Sequence, residues 1–394
     1  MLKYVTIFFT LLLAFLDYKA YRRIKRSGTS SILCNIILLL LVLLNLIPLF
    51  APLFMVIMDE TNSQDVMKVT SLLFTLFTLF AATRIVFYLF WLPSKIKLLR
   101  YVAIIISSLV FIYFSKGILI TRTDYTIKEI DLRFKNIPSS FDGFRIVFLS
   151  DIHLGSMLDK EHELGRVVEK VKGTDADVIF FGGDLINLHH SELDSCALNI
   201  LSGMNENVPV IAVLGNHDTG TYLPDSTGKR DKIDTYELEN KISSLGWVLL
   251  KDSTVFIHEK QDSIAVTGID YSSILLKHKH SFGVPEDFNP NIIYSGIDNG
   301  VFNITLSHLP QLWSILCDNG YSDLTLSGHI HAFQFNINLF GKSFSPAQYL
   351  YKEWSGLYEN EYGKLYITDG IGTVGFMARF GAVPEITVIN LRKE

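Results

Sequence analysis

Three stretches before residue 121 are long and apolar enough to leave this chain little choice of environment: Ile32–Met58, Val69–Leu92 and Tyr101–Ile120. About 20 apolar residues in a helix cross the hydrocarbon core of a bilayer, and in that medium every backbone polar group must be satisfied internally. The first apolar stretch of the chain, Tyr4–Leu16, precedes these three and reaches that length if Asp17–Tyr21 are drawn into the interface. Its C-terminal end leads into Tyr21-Arg22-Arg23-Ile24-Lys25-Arg26, with no small-residue cleavage site, so it is expected to be a retained helix and not a signal peptide. Residues 1–121 therefore read as an all-α bundle of about four transmembrane helices. Arg84, alone inside the third stretch and without an obvious acidic partner, is expected to snorkel or to face the bundle interior.

Charge divides the chain at the same place. Up to residue 123 there are 13 Lys and Arg against four acids, which of the chain totals of 35 and 40 leaves 22 and 36 beyond it, or about +9 and −14. Lys19, Arg22, Arg23, Lys25 and Arg26 crowd the first loop and Lys95, Lys97 and Arg100 the third, whereas the second holds Asp59, Glu60 and Asp65 with Lys68. The positive-inside rule puts the first and third loops in the cytoplasm, and with them residues 122–394 outside it. An acidic second part argues against a nucleic-acid partner, which needs clustered Lys and Arg. Cys34, Cys196 and Cys317 form no disulfide or zinc spacing and read as buried thiols.

From Asp124 the texture changes to short β-type runs broken by Gly, Asn and Asp. Strands are expected at Tyr125–Phe134, Phe144–Leu149, Val178–Phe181, Pro209–Leu214, Trp247–Leu250, Ile264–Ile269, Phe302–Leu306, Leu324–Leu326, Phe333–Leu339, Lys364–Thr368 and Ile386–Leu391. Helices are expected at Lys160–Lys172, Glu192–Met204, Thr235–Leu245 and Pro310–Asp318, and a polar loop at Thr219–Lys232. Strand–helix–strand alternation in the first half implies parallel pairing, and the denser strands later imply a second sheet packed on the first.

Five of these strands end in a Gly- or Ser-flanked metal-ligand type. Phe144–Leu149 runs into Ser150-Asp151-Ile152-His153, Val178–Phe181 into Gly182-Gly183-Asp184, and Val210–Leu214 into Gly215-Asn216-His217-Asp218. Phe302–Leu306 runs into Ser307-His308, and Leu324–Leu326 into Ser327-Gly328-His329-Ile330-His331. One Gly-Asp after a strand is ordinarily a turn and one His ordinarily a satisfied side chain, but five in succession at strand ends describe a site. Asp151 and His153 lie two apart, so on an extended strand they would point to opposite faces. They can share an ion only if the chain turns, and Gly155 is expected to permit the turn. His189 and His190, just after Gly183-Asp184, are expected in a solvated loop.

This ordered set resembles the calcineurin-like metallophosphoesterases over residues 144–391. The run Gly370-Ile371-Gly372-Thr373-Val374-Gly375, then Arg379-Phe380-Gly381 and Pro384-Glu385-Ile386, resembles the bacterial membrane-associated branch. The resemblance implies a four-layer α/β/β/α sandwich over residues 122–394, outside the bacterial inner membrane. It implies two divalent transition-metal ions (Mn, Fe or Zn), one held by Asp151, His153, Asp184 and His331. Asp184 would bridge to the other, held also by Asn216, His308 and His329. His217 would contact the phosphoryl group or protonate the leaving oxygen, with Asp218 orienting it. One departure stands out: Ala332-Phe333-Gln334 replaces the branch's Gly-Gly-Gln, and Phe333 puts bulk where substrate or backbone would come close.

The expected function is a membrane-anchored phosphoesterase that cleaves phosphomonoesters or phosphodiesters by attack of a metal-bridged hydroxide. Anchoring through helices suggests an envelope or lipid-linked phosphate as substrate. The competing reading is a non-catalytic membrane sensor or assembly module built on the same fold.

Overall fold

The structure is a computed structural model that describes residues 2–28, 30–43, 64–206, 208–220, 222, 235–271, 288–298 and 300–394. Most of the second apolar stretch beyond Leu43, Asp59 and Glu60 of its loop, and most of the Thr219–Lys232 loop lie outside the described residues. The described residues form two compact units, Met1–Thr121 with Gly375–Ala378, and Arg122–Val374 with Arg379–Glu394.

The first unit contains helices α1 (Leu2–Arg26), α2 (Ser31–Leu43), α3 (Gln64–Trp91) and α4 (Lys97–Leu119). Among the described residues, two segments are long and apolar enough to cross a membrane, Lys68–Trp91 and Lys97–Thr123, where four were expected; the described part of the second stretch is the short apolar helix Ser31–Leu43. Leu13 of α1 packs on Phe77 and Ala81 of α3, and Arg23 of α1 donates to the carbonyls of Trp91, Leu92 and Ser94 at the end of α3. These contacts advance together along both helices, so α1 and α3 run parallel. Arg84 does have an acidic partner. It pairs with the buried Asp17 of α1, whose other oxygen accepts from the Tyr88 hydroxyl at 2.5 Å. The sequence placed Asp17 in the interface because it ends a short apolar run. Parallel packing brings it to the level of Arg84 instead.

The second unit is built on two six-stranded sheets. In the first the order is β1 (Thr126–Phe134), β14 (Glu385–Lys393), β2 (Arg145–Leu149), β3 (Val178–Phe181), β4 (Val210–Ala212) and β5 (Val248–Leu249). Strands β2 to β5 are parallel, as the alternation with helices implied, and the C-terminal β14 inserts antiparallel to β2. In the second sheet the order is β12 (Gly356–Glu359), β13 (Lys364–Ile367), β9 (Leu324–Ser327), β8 (Asn303–Leu306), β7 (Asp262–Gly268) and β6 (Ser253–Glu259). Among the described residues, strand β10 (Ile337–Leu339) pairs only with β11 (Lys342–Phe344).

Side-chain alternation explains the layers. Ile146 and Phe148 of β2 face Ile304 and Leu324 of the other sheet, while Val147 and Leu149 turn to the opposite side. There they meet Leu164, Val167, Val168 and Val171, one stripe of α5 (Lys160–Lys172), whose start is capped by Asp159. Beyond the second sheet, Leu365 and Ile367 cover Trp313 and Cys317 of a helix over Trp313–Asp318. The result is helix, sheet, sheet, helix, and a strand buried on both faces reads as an unbroken apolar run.

Three expectations need correction. Residues 331–334 form a tight turn, so the expected strand Phe333–Leu339 shrinks to β10. Strands β6 and β12 went unforeseen because they are half-exposed and polar-rich. Cys34 and Cys317 are buried, but Cys196 is half-buried at the solvent side of its short helix. His189 and His190 lie in a half-buried turn, with His189 capping the turn His190–Glu192.

Arg122 begins this unit with a two-pronged pair to Glu163 of α5, at 2.8 and 3.0 Å, both side chains nearly excluded from solvent. Glu163 also accepts from the backbone N–H groups of Leu158 and Asp159. Arg122→Ala strands a buried carboxylate, so the expected loss is about 3 kcal/mol or more. Unfolding of the detergent-solubilised full chain measures it, and an unchanged midpoint contradicts it.

Candidate metal centre

The loops that end β2, β3 and β9 carry their functional side chains in a conformation L-residues rarely adopt. Asp151, His153, Asp184, His329 and His331 have φ of 58°, 47°, 57°, 73° and 53°. Each costs on the order of 1 kcal/mol or more and persists only where the surroundings impose it. Here the loops interlock. Asp151 N donates to Gly183 O at 2.8 Å, His153 N to Asp184 O at 3.1 Å, and Gly372 N to Asp151 O at 2.7 Å. The left-handed residues turn the strand end so that Asp151 and His153 face one point. Gly155 does not make that turn. A Cβ there would lie 2.6 Å from the Glu192 carboxylate, so its role is to leave room. At Gly328 the need is similar, since a Cβ would sit 2.2 Å from Asp151 Oδ2.

Two donor sets result. Asp151, His153, Asp184 and His331 offer ligand atoms all within 4.8 Å of one another, and so do Asp184, His308 and His329. In the first, His153 Nε2 and His331 Nε2 are 3.2 Å apart, His331 Nε2 is 3.1 Å from Asp151 Oδ1, and His153 Nε2 is 3.7 Å from Asp184 Oδ2. In the second, His308 Nε2 lies 3.2 Å from Asp184 Oδ2, and Asn216 Oδ1 lies 3.0 Å from His308 Nε2 and 2.7 Å from His329 Nδ1. The seven residues singled out from the sequence as ligands are thus brought together, with Asp184 common to both sets.

The chemistry of these atoms fits a cation. His308 Nδ1 faces Gly182 O at 2.8 Å, which keeps a proton on that nitrogen and leaves Nε2, 3.2 Å from Asp184 Oδ2, as the nitrogen that would meet a cation beside that carboxylate. Burial pushes His329 down to about 3, with His308 adding to the shift, and pushes His153 well down, helped by His217. Burial opposes ionisation of Asp184 and Asp151. The imidazoles, led by His308 for the first and His331 for the second, nonetheless hold both well below the usual carboxylate range. Against its own burial, His308 is drawn up to about 9 by Asp184. Oxygen and nitrogen donors without thiolate suit Mn, Fe or Zn.

His217 sits beside the first set, its ring edge-on to His153 at 4.8 Å. Asp218 was expected to orient it and does not. The Asp218 carboxylate instead accepts from the backbone N–H groups of Asp184, Ile186 and Gly215, at 2.7, 3.1 and 2.9 Å. Burial and the neighbouring Asp184 push it up to about 7. The turn at His217–Thr219 carries adjacent side chains in different directions, so sequence adjacency misleads. Orientation of His217 comes from Asn187 O, 2.6 Å from its Nδ1, and from Tyr222, whose ring stacks on it at 4.2 Å and 8°. The same Tyr222 hydroxyl accepts from Asn216 Nδ2 at 2.7 Å, which turns Asn216 Oδ1 toward His308 and His329.

Phe333 and Ala332 both occupy the left-handed region, φ 52° and 47°, where glycine is favoured. Phe333 is 37% exposed and stands at the mouth, edge-on to Tyr351 at 5.9 Å. Gln334 is buried, and its side-chain oxygen accepts from Val374 N. Tyr271 and Tyr351 flank His308 and His329. None of these tyrosines, nor Asn187, was legible as part of the site; Asn187 acts through its carbonyl, which no residue type advertises.

Two buried charges behind the site were also missed. The Glu192 carboxylate accepts from Gly155, Asn187, Leu188 and His189 N–H at 2.8, 2.6, 2.8 and 3.2 Å, fastening the loop after Asp184 to the loop after His153. Arg379, fully buried, donates to the carbonyls of Gly372, Asp369 and Ala382. The Arg379-Phe380-Gly381 run was the available signal for it.

Residues 144–333 match the family described as calcineurin-like phosphoesterase. The chain is 28% identical over 282 residues to the uncharacterized metallophosphoesterase YkuE of Bacillus subtilis, spanning 70% of this chain and 86% of that one. It is 28% identical to a transmembrane protein with metallophosphoesterase domain of Danio rerio, spanning 74% and 62%. It is 25% identical to the UDP-2,3-diacylglucosamine pyrophosphatase LpxG of Chlamydia muridarum, spanning 67% and 88%.

Glu192→Ala orphans four buried N–H groups, so a loss of about 3 kcal/mol or more is expected, together with weaker metal retention. Unfolding and elemental analysis of one preparation measure both. Native stability with full metal content would show that the two loops do not depend on this carboxylate.

Proposed function

We propose that this chain, a member of the calcineurin-like metallophosphoesterases, is a membrane-anchored hydrolase of phosphoric esters that works through two metal ions outside the cytoplasm. The observation that carries the reading is the pair of donor sets meeting at Asp184, one with two imidazole nitrogens 3.2 Å apart. Asp151, His153, Asp184 and His331 would hold one ion, and Asp184, Asn216, His308 and His329 the other. Two such ions supply a hydroxide nucleophile at neutral pH and offset charge on the phosphoryl oxygens.

The chain's own contribution is positional. With Nδ1 committed to Asn187 O, His217 has only Nε2 to present to a substrate, and the stacked Tyr222 keeps the ring from swinging away. A protonated Nε2 would donate to a phosphoryl oxygen or to the departing alcohol. Asp218 acts at one remove, holding the backbone from which Asp184 and His217 project. Tyr222, Tyr271, Tyr351 and Phe333 narrow the approach with aromatic surface, which suits an ester whose leaving group has apolar area to cover.

The first unit supports the reading of anchoring and side. α1 and α3 run parallel, so the basic residues after each lie at one end, which the positive-inside rule assigns to the cytoplasm. The membrane helices, together with a relative named for a diacylglucosamine nucleotide, favour a lipid-linked or envelope phosphate as substrate.

His217→Ala is expected to keep its metal and lose about 100-fold or more in kcat, the usual scale for a positioned acid. Full kcat in that variant would remove His217 from the reaction. Lipid-embedded phosphates should be cleaved faster than water-soluble esters by the purified full chain, and equal rates would exclude the lipid preference. A reporter fused after Glu394 should signal outside the cytoplasm; a cytoplasmic signal would reverse the orientation.

A further inference from the structure

Where α1 and α3 end together, a cavity of about 640 Å³ opens between them. Lys19, Arg22 and Arg26 of α1 and Lys95 after α3 line it, and among the described residues no acidic one does. The nearest carboxylate along α1, Asp17, is engaged by Arg84 and Tyr88. Arg23 also reaches the cavity but is held by the carbonyls that end α3, and it fixes the floor. No salt bridge among the described residues involves Lys19, Arg22, Arg26 or Lys95. Four cations face one concave space with no counter-charge among the described residues.

The surface leading to this cavity is apolar. Phe8, Leu11, Phe15 and Tyr18 recur every three or four residues on α1 and are 61%, 66%, 52% and 55% exposed, and the next residue on that stripe is Arg22. Lys19 lies over the Phe15 ring at 4.5 Å and Arg22 near the Tyr18 ring at 5.8 Å, so the cations rest on the end of the apolar track. A ligand that matches both features has a phosphate at one end and a hydrocarbon chain at the other.

We propose that this cavity is a binding site for an anionic phospholipid, its headgroup phosphate among Lys19, Arg22, Arg26 and Lys95 and an acyl chain along Phe8, Leu11, Phe15 and Tyr18. A soluble phosphate would satisfy the cations and leave the stripe uncovered. The site rests on the helices lying in a bilayer and not on the chemistry of the metal centre, so hydrolysis is not its readout.

The test is lipid retention by the detergent-purified full chain, measured by native mass spectrometry with phosphatidylglycerol, phosphatidylcholine and inorganic phosphate as separate probes. Phosphatidylglycerol should be retained in preference to phosphatidylcholine. R22Q/K95Q, which removes two cations that take no part in helix packing, should weaken retention by about thirtyfold. Lys25→Gln, which removes a neighbouring charge outside the cavity, should leave it unchanged. Unaltered binding by R22Q/K95Q overturns the site, and an equal loss in Lys25→Gln reduces it to diffuse attraction. Phosphate that displaces phosphatidylglycerol at equal concentration makes the ligand a soluble anion and also overturns the proposal.

Discussion

Three loops at the candidate metal centre, those after β2, β4 and β8, are tied to Asp184. Its backbone N–H donates to Asp218, its carbonyl accepts from His153 N, and its Oδ1 accepts from His217 N at 2.8 Å. Its Oδ2 faces His308 on one side and His153 on the other. One residue at the end of β3 thus sets where β2, β4 and β8 deliver their side chains. Its φ of 57° is the condition for doing so, because a strand-like Asp184 would carry its carboxylate away from both donor sets. The fold supplies that condition. Strands β2, β3 and β4 are parallel neighbours, so their C-terminal ends, and the loops after them, lie side by side.

The electrostatics arise from the same crowding. Buried imidazoles and carboxylates in mutual contact drive some histidines neutral and keep the aspartates ionised, a state ready for a cation. A non-catalytic module would need neither these donors nor a histidine held with one nitrogen free. Supports lie one layer back: Asp218, Glu192 and Arg379 are all buried and spend their polar atoms on backbone groups of the site loops. They hold left-handed backbone in place, so their removal is felt first as loosened geometry.

The side chains of the two donor sets were readable in the chain because each comes directly after an apolar run and because residue types able to hold a metal are few. Parallel sheet pairing was readable from alternation. What adjacency suggested and three dimensions reversed was Asp218, next to His217 in sequence yet directed at the backbone of three other residues. Gly155 was credited with a turn that Asp151 and His153 make themselves. Asp17 and Arg84 lie 67 positions apart, and only parallel packing of α1 on α3 joins them. Tyr222 and Tyr351 come from loops where composition gives no hint of direction. Sequence pattern marks the candidate donor residues and says little about what aims them.

The central claim is that two ions share Asp184. Elemental analysis of the purified full chain, wild type beside Asp184→Asn, tests it most directly. Two divalent metal ions per chain in the wild type, with both occupancies falling together in the variant and phosphoesterase activity lost, is the result expected. Full metal content and full activity in Asp184→Asn would contradict a shared aspartate.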